Sequence, residues 1–344
     1  MKRSVKLKSR EPYILILIFI LTTIIIVTNK LWMIQKRFIL SWRSTNGNVS
    51  CYDSSEGDAL KPFTKKRNSR SIFFHETSCR GGLTSREACA VESAARAHPN
   101  WQVYLLFSSP VYKQTLENSN LYVLQQYENV DIARIYIDEY TKGVWPQDVL
   151  KDIKNSTHAI SHSADLLRIA TLFLWGGVYL DLDVVVVRAL DELPKNWIAK
   201  QLDSELAFGT MALSKDEVGT KISTKFVKTI SNYYNPSKRF QNGLIHEALK
   251  SVCPAAILFP AGRYCHGLYV YGPDLFYPVY YVWARKYFDP GDLSIVDNGL
   301  NPYMHHVWNG LTWNVTVDKD SPYEKLAKQF CPRVYEIYGD EFGI

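Results

Sequence analysis

The chain has 344 residues, of which 47% are hydrophobic and 13% aromatic, and it contains six cysteines. This composition excludes a disordered chain, a collagen-like chain and a disulfide-rich miniprotein, and it allows a large packed core. The first 70 residues contain 14 Lys and Arg against 4 Asp and Glu, a net charge of +10, so the remainder, with 26 against 30, carries −4. Because the basic residues cluster at the N-terminus, the sequence predicts no nucleic-acid partner for the larger part.

An uncharged apolar run, residues 13–28, follows five basic residues near the N-terminus. As a helix rising about 1.5 Å per residue, this run extended to residue 34 spans the roughly 30 Å hydrocarbon core of a bilayer. It exceeds the apolar region of a secretory signal peptide, and no small-residue cleavage site follows it. The sequence therefore predicts a single-pass type II membrane protein, with these parts: a cytosolic tail at 1–12, a transmembrane signal anchor at 13–34, a stem at 35–70 and a lumenal catalytic domain at 71–344.

Two features place the part after the anchor in an oxidising lumen. Three N-glycosylation sequons begin at Asn48, Asn155 and Asn314, and all six cysteines follow the predicted span. Six cysteines allow 15 pairings, which the sequence does not distinguish. Cys253 and Cys265 flank a plausible loop that a disulfide could close.

From residue 71 onward, short apolar runs alternate with segments of helical spacing. The predicted elements in chain order are a strand at 71–75, a helix at 85–98, a strand at 101–107, an apolar stretch at 133–137, a helix at 163–175 ended by two glycines, and a strand at 178–180. Alternating strands and helices predict an α/β fold with a central, mostly parallel sheet. Ligands of such sheets bind beyond the carboxyl ends of the strands.

Asp181 and Asp183 follow the last of these strands and precede another apolar run. Side chains at i and i+2 of an extended chain point to the same face, so both carboxylates could bind one divalent cation. The alternative is that one Asp caps a turn and the other is solvated. The apolar runs on both sides favour the metal site, because a buried charge without a counterion is costly.

Asp165 and Arg168 lie three residues apart on the preceding predicted helix and share one of its faces. One interpretation is an exposed ion pair that contributes only tenths of a kcal/mol. The other is that the pair faces the strand ends and contacts sugar hydroxyls or a phosphate, since Arg donates in a planar fork and Asp accepts.

Five segments resemble, in the same order, the lactosylceramide α1,4-galactosyltransferase and α1,4-N-acetylglucosaminyltransferase family: FFHETS at 73–78, AVESAARAHP at 90–99, ADLLRI at 164–169, WGGVYLDLD at 175–183 and HVWN at 306–309. These are type II Golgi enzymes with a GT-A nucleotide-sugar-binding fold. The resemblance implies retaining transfer of galactose or an N-acetylhexosamine from a UDP-sugar, in α1,4 linkage, to a glycolipid or glycan terminus. It also implies Mn²⁺ or another divalent cation as cofactor.

The resemblance assigns roles to individual residues. Asp181 and Asp183 would be catalytic and would bind the metal together with His306, for which His305 is the alternative. Gln241 would be a further catalytic residue. The donor-binding residues would be Glu76, Thr77, Ser78, Asp165, Arg168, Tyr179, Asn242 and Gly243.

The chain departs from the family in two places. Residues 240–243 read FQNG and lack the proline of the family's Gln-Gly-Pro-like turn, and residues 206–211 replace its Asn-Gly-containing stretch. The donor sugar and the acceptor therefore stay open, and no oligomeric state is predicted.

The aromatic-rich residues 267–287 suit either stacking against an acceptor sugar or core packing.

Two other functions are alternatives to sugar transfer. A glycoside hydrolase would use carboxylates that flank the scissile bond and normally come from separate elements. A catalytically degenerate lumenal sugar-binding module would not respond to Mn²⁺ and UDP.

Overall fold

The computed structural model describes residues 49–65, 70–237, 242–254, 263–297 and 299–343. Within these residues no helix is long and apolar enough to cross a bilayer. The anchor predicted at 13–34 lies outside the described residues.

The strands are β1 Ser71–Glu76, β2 Gln102–Phe107, β3 Val130–Arg134, β4 Gly177–Leu180, β5 Val184–Val186, β6 Trp197–Leu202, β7 Glu205–Leu213, β8 Arg263–Cys265, β9 Leu268–Tyr271 and β10 Met304–His306. The helices are α1 Ser85–Ala97, α2 Lys113–Asn118, α3 Asn120–Leu124, α4 Ile137–Tyr140, α5 Gln147–Asn155, α6 Ala159–Trp175, α7 Glu217–Tyr233, α8 Asn242–Val252, α9 Ser294–Asp297, α10 Asn309–Thr312, α11 Pro322–Phe330 and α12 Pro332–Tyr338. Short 3₁₀ helices lie at Ser50–Asp53, Pro273–Leu275, Tyr281–Tyr287 and Gly339–Glu341.

The main sheet has the strand order β3-β2-β1-β4-β7-β6-β9-β8. Strands β3, β2, β1 and β4 run parallel, as do β6 and β9. Strand β7 is antiparallel to both of its neighbours, and β8 is antiparallel to β9. The predicted α/β fold with a mostly parallel sheet is thus confirmed, with antiparallel pairings in its second half. Strands β5 and β10 form a separate antiparallel pair.

Both faces of the main sheet are covered, because β1 and β2 are apolar on both sides. Ile72 and Phe74 pack into one hydrophobic cluster with side chains of α1, α11 and α12. Phe73 points to the opposite face and packs into a second cluster with side chains of α5, α6 and α7. Parallel strands buried on both faces are apolar at most positions, which explains the apolar runs 72–74 and 103–107 in the sequence.

The predicted boundaries agree at most elements. Helix α1 begins at Ser85 as predicted, because Thr84 and Glu87 form a reciprocal capping box. Two elements begin earlier than predicted: β3 occupies Val130–Arg134, three residues before the predicted stretch at 133–137, and α6 begins at Ala159, four residues before the predicted start at 163. Ile135 and Ile137 are buried in the connection that follows β3, so the apolar pattern continues beyond the strand.

Two glycines set the angle between α6 and β4. Gly176 and Gly177 have φ values of +63° and +110°, which favour glycine. A Cβ at Gly177 would lie 2.7 Å from the carbonyl oxygen of Ser71. The glycines thus let β4 run closely beside β1, which places the ends of both strands at the same edge.

The described part of the predicted stem packs against the catalytic domain. Cys51 forms a disulfide with Cys79, and Tyr52 is fully buried. Asp58 forms a 3.1 Å ion pair with the buried Arg134 of β3. From residue 49 to 65 this segment is therefore part of the fold rather than a free tether.

All six cysteines are paired. The disulfides are Cys51–Cys79, Cys89–Cys331 and Cys253–Cys265. The third closes the loop that the sequence suggested. The other two join segments that are distant in sequence, and no sequence pattern predicted them.

Candidate active site

The Asp-X-Asp pair lies where β4 ends and β5 begins, and the pairing of β5 with β10 brings a histidine to it. His306 is in register with Val184, the residue after Asp183. Its Nε2 atom lies 3.1 Å from Asp183 Oδ1 and 3.8 Å from Asp181 Oδ2. One ligand atom from each of the three residues lies within 4.8 Å of the other two.

Asp181 is held by groups from two neighbouring elements. Arg168 Nη2 of α6 lies 3.3 Å from Asp181 Oδ1, and the Tyr179 hydroxyl donates a 2.8 Å hydrogen bond to the same oxygen. Burial alone would raise the pKa of Asp181, but Arg168, His306 and Tyr179 outweigh burial and hold this pKa well below its usual value. Asp181 is therefore an ionised carboxylate at neutral pH.

The pair Asp165 and Arg168 is buried, which excludes the interpretation as an exposed surface ion pair. Arg168 Nη2 lies 3.1 Å from Asp165 Oδ1 and also contacts Asp181, so it bridges helix α6 and the Asp-X-Asp segment. Both side chains are about nine-tenths buried. This guanidinium is thus part of the site and fixes the position of the Asp181 carboxylate relative to helix α6.

Asp183 has different partners from Asp181. The backbone N–H of Asn309 donates a 2.9 Å hydrogen bond to Asp183 Oδ2, while Oδ1 is buried without a hydrogen-bond partner among the described residues. Burial raises the pKa of Asp183, and the nearby Asp181 carboxylate raises it further, against the opposing effect of His306. A cation beside Oδ1 would reverse this effect, because it favours the ionised form.

His306 lies in an aromatic wall of the site. Its ring centroid is 4.3 Å from that of Trp308 and 5.2 Å from that of Tyr277. Burial lowers its pKa, but the carboxylates of Asp183 and Asp181 more than offset burial and raise the pKa above its usual value. Without a metal the histidine therefore serves as a counterion to the carboxylates.

His305 points away from this cluster. Its Nε2 atom lies 3.1 Å from Asp297 Oδ1, and its Nδ1 atom lies 3.1 Å from the Tyr287 hydroxyl. Successive residues of a strand face opposite sides, so only one of the two histidines could reach the carboxylates. The structure groups His306, not His305, with Asp181 and Asp183.

Gly209 is a site residue that the sequence reasoning missed. It lies in β7, and its carbonyl oxygen accepts a 2.7 Å hydrogen bond from the Asp181 backbone N–H. A Cβ here would overlap Asp181 Oδ2 and would lie 3.2 Å from His306 Nε2. A glycine inside a strand often marks a close approach of another group, and this signal was present in the sequence.

The three side chains fit a divalent cation. Two carboxylates and the Nε2 atom of one imidazole converge, Asp183 Oδ1 is buried without a hydrogen bond among the described residues, and Gly209 leaves space beside Asp181. Mixed oxygen and nitrogen ligands suit Mn²⁺ or a similar ion. All cysteines are in disulfides, so no thiolate competes for it.

The residues after β1 lie at the same sheet edge and are tied by internal contacts. The backbone N–H and the hydroxyl of Ser78 both donate to Glu76 Oε1, and Thr77 Oγ1 donates a 3.1 Å hydrogen bond to the carbonyl of Ile160 in α6. Burial, the largest influence, raises the pKa of Glu76. These contacts fix the loop next to α6, and donor binding by the three residues stays a prediction.

His75 is a second buried group that the sequence reasoning did not single out. Its Nε2 atom lies 2.8 Å from the Thr171 hydroxyl, and its ring stacks on Tyr179 at a centroid distance of 5.9 Å. Burial, and secondarily the charge of Arg168, lower its pKa to about 3. A neutral His75 therefore supports Tyr179, which in turn contacts Asp181.

The predicted residues around position 242 are not brought to the cluster by any described contact. Gln241 and the side chain of Asn242 lie outside the described residues. Gly243 is exposed near the start of α8, and a Cβ there would meet nothing within 4 Å.

The aromatic stretch at 267–287 divides between the two interpretations. Phe276, Tyr277 and Tyr287 are buried core residues, whereas Tyr281 is exposed and open to an acceptor sugar. Tyr281 faces Trp308 at a centroid distance of 5.8 Å, so it lies beside the aromatic wall of the site.

Two family models match the chain. Residues 84–202 match the glycosyltransferase sugar-binding region containing the DXD motif, which includes Asp181 and Asp183. Residues 215–338 match the alpha 1,4-glycosyltransferase conserved region, which includes His306.

Characterised relatives match most of the chain. Lactosylceramide 4-alpha-galactosyltransferase of Rattus norvegicus is 27% identical over 278 residues, which cover 77% of this chain and 75% of that protein. Alpha-1,4-N-acetylglucosaminyltransferase of Homo sapiens is 25% identical over 292 residues, with coverages of 80% and 83%. The solved structure of galactosyltransferase LgtC with donor and acceptor sugar analogs covers 76% of this chain and 96% of its own at 14% identity, but its TM-score of 0.44 is too low to support a functional comparison. The sequence matches confirm the resemblance: the chain contains two glycosyltransferase regions and is similar to the lactosylceramide α1,4-galactosyltransferase and α1,4-N-acetylglucosaminyltransferase family.

Proposed function

We propose that this protein is a retaining, UDP-sugar-dependent α1,4-glycosyltransferase. It would transfer galactose or an N-acetylhexosamine to the terminal sugar of a lactosylceramide-like glycolipid or of a glycan. The observation that carries the proposal is the convergence of Asp181, Asp183 and His306 within 4.8 Å at the end of β4. The names of the relatives supply the donor and acceptor classes.

In the reaction, the bond between the sugar C1 and the UDP oxygen breaks and a bond from C1 to the acceptor oxygen forms with retained configuration, either by same-face attack or through a covalent intermediate with the enzyme. The acceptor proton passes to an oxygen of the leaving diphosphate. Bound Mn²⁺ or a similar cation would act as a Lewis acid that stabilises the negative charge on this diphosphate.

The chain's own residues hold and orient these groups. Asp181, Asp183 and His306 would bind the cation. Arg168 keeps Asp181 ionised, and the Asn309 N–H fixes the orientation of Asp183. Asp165 and Arg168, with the Glu76–Ser78 loop and Tyr179, would contact the donor from the neighbouring strand end and helix. Gln241, Asn242 and Gly243 complete the proposed donor and catalytic residues.

We also propose that the protein is a single-pass type II Golgi membrane protein with a lumenal catalytic domain. The apolar run at 13–28 supports the anchor. Three disulfides support an oxidising compartment. The sequon residues Asn155 and Asn314 are exposed, so the cellular enzyme that attaches N-linked glycans could reach both.

The decisive experiment measures transfer and binding with the purified full chain in detergent. UDP-galactose, UDP-N-acetylgalactosamine and UDP-N-acetylglucosamine are each incubated with Mn²⁺ and lactosylceramide. In parallel, Mn²⁺ plus UDP should raise the melting temperature of the wild type but not of Asp183→Ala. Asp292→Ala, which removes an exposed carboxylate remote in sequence from the Asp-X-Asp pair, is the matched control and should keep the shift.

The outcomes separate the alternatives. No thermal shift with Mn²⁺ plus UDP, together with no cleavage of any of the three donors, would point to a sugar-binding module without catalysis. Absence of the shift in the wild type would rule out the metal-assisted mechanism, and metal-free hydrolysis of a glycoside would revive the hydrolase alternative.

A further inference from the structure

Exposed apolar side chains are concentrated in one part of the described chain. Of the 15 exposed large hydrophobic residues there, seven fall between positions 281 and 313, in about a tenth of the described sequence. Single exposed apolar residues need no explanation, but a group of them marks an interaction surface. We use the name apolar face for four of these residues: Tyr281, Val282, Trp283 and Ile295.

Buried residues and polar contacts join the apolar face to the rest of the fold. Tyr281, Val282 and Trp283 begin a 3₁₀ helix whose Ala284 and Tyr287 are buried. The Tyr287 hydroxyl lies 3.1 Å from His305 Nδ1, and His305 Nε2 lies 3.1 Å from Asp297 of α9, the helix that carries Ile295. His305 thus joins both parts of the face to strand β10.

The same strand connects the apolar face to the candidate metal site. His306, next to His305, stacks against Trp308 at 4.3 Å, and Trp308 contacts Tyr281 at 5.8 Å between ring centroids. Trp308 thus lies between Tyr281 of the apolar face and His306 of the candidate metal site. Any large partner that covers this face also lies beside the site of transfer.

Most charged groups around the face pair with one another, which suits a zwitterionic surface. Val282, Trp283 and Ile295 line a cavity of about 270 Å³ together with Lys286 and Arg285. Asp289 also lines this cavity, and it is neutralised by its 3.0 Å pair with Arg285. The ammonium of Lys286 lies 5.9 Å over the Trp283 ring, and the exposed Asp292 pairs with Lys325 at 3.2 Å.

Exposed Trp and Val side chains next to a Lys are typical of protein surfaces that bind the interface of a bilayer. The tryptophan ring prefers the boundary between headgroups and acyl chains, and lysine extends its ammonium toward lipid phosphates. The predicted span ends at residue 34, and the described fold begins at residue 49. The 14 residues between them reach at most about 50 Å when fully extended, so the domain would stay near the membrane.

We infer that the apolar face inserts into the lipid surface of the membrane and presents the site to the headgroup of a glycolipid acceptor. This inference rests on the proposed function for the identity of the acceptor. The lipid contact itself follows from the exposed residues and their charge. It assigns the 281–287 segment a role in selecting membrane-embedded over soluble acceptors.

The lipid contact is tested with the full chain reconstituted into phosphatidylcholine vesicles. Because the six native cysteines are all paired, a cysteine introduced by Trp283→Cys gives one free thiol for an NBD fluorophore. Tyr122→Cys, on α3, is the matched control, since Tyr122 is 52% exposed and Trp283 61%. Phosphatidylcholine with a doxyl group near the headgroup should quench NBD at position 283 and leave position 122 unquenched. Val282→Cys should repeat the result at 283.

Equal quenching at the two positions, or none at 283, would overturn the inference. Emission at 283 that changes with protein concentration in detergent, without quenching by doxyl lipid, would instead assign the face to a second copy of the chain. These readouts do not require enzymatic activity, so they decide the lipid contact even if no transfer is found.

A second experiment tests the consequence for the acceptor. The double variant Val282→Ser, Trp283→Ser should lower transfer to lactosylceramide in vesicles by at least about tenfold, since the loss of one large apolar contact already corresponds to about this factor and the variant removes two. Transfer to a water-soluble lactoside should be unchanged. Equal loss with both acceptors would overturn the role in acceptor selection. If the wild type transfers to neither acceptor, the proposed function fails while the quenching result still stands.

Discussion

Arg168 Nη2 lies 3.3 Å from Asp181 Oδ1, so the two carboxylates of the Asp-X-Asp pair differ in their partners. Asp181 is held by a permanent cation, and its pKa is lowered. Asp183 instead accepts a backbone hydrogen bond from Asn309, and its pKa is raised chiefly by burial. Asp181 is thus ionised even without a metal, whereas a bound metal would stabilise the ionised form of Asp183.

Replacing Arg168 by Gln should strongly destabilise the fold. The substitution leaves two buried carboxylates, Asp165 and Asp181, without their cation, and such a loss costs about 3 kcal/mol in free energy of unfolding. Urea denaturation measures the loss. The control is Arg285→Gln, which removes an exposed ion pair worth at most about 1 kcal/mol. Similar losses in the two variants would contradict a structural role of the buried arginine.

Gly209→Ala should abolish the response to metal while the fold persists. The new methyl group would overlap Asp181 Oδ2 and displace the carboxylate. A displacement near 1 Å in an active site lowers the rate by about 100-fold. Transfer rate and the Mn²⁺-dependent melting shift are the measurements. Gly310→Ala is the control, since a Cβ at Gly310 meets nothing within 4 Å. A Gly209→Ala protein with normal activity would show that the carboxylate can move without cost.

His75 should make the protein acid-sensitive. The fold lowers its pKa from 6.5 to about 3. Between these pH values His75 is therefore protonated in the unfolded chain and neutral in the folded protein. The full stability is present above about pH 6.5 and is lost as the pH falls toward 3, by about 1.4 kcal/mol per pH unit.

The measurement is the free energy of unfolding of the wild type and of His75→Gln at several pH values. Other groups titrate in both proteins, so the difference between them isolates His75. As the pH falls from about 6.5 toward 3, the free energy of unfolding should decrease more in the wild type than in His75→Gln. Parallel pH curves would mean that His75 takes up its proton without unfolding.

The disulfides should contribute unequally. In the chain-entropy model, a cross-link stabilises more when the loop it closes is longer. Cys89–Cys331 closes 242 residues and Cys253–Cys265 only 12. Replacing both cysteines by serine should therefore cost about 5 kcal/mol for the first pair and about 3 kcal/mol for the second. Unfolding by guanidinium measures both, and a larger loss for the short loop would contradict the entropic account.

Local patterns predicted much of the fold. The apolar alternation and the helical spacing are visible in the sequence because they arise from neighbouring residues, as in α1 with its Thr84–Glu87 capping box. The third strand was placed three residues late, because Ile135 and Ile137 continue the apolar pattern outside the sheet. Burial without strand pairing cannot be told from a strand by periodicity alone.

By itself, the sequence indicated that two carboxylates, Asp181 and Asp183, meet at a strand end. It attributed this to the two-residue period of an extended chain, whereas in the structure residues 181–183 form a turn between β4 and β5, closed by a hydrogen bond from the Val184 N–H to the Asp181 carbonyl. Only the tertiary structure decided what surrounds them. The register of β10 against β5 selects His306 over His305, helix α6 brings Arg168 to Asp181, and β7 brings Gly209. These partners are separated by many residues in sequence, and their meeting depends on the packing of whole elements, which no local pattern encodes.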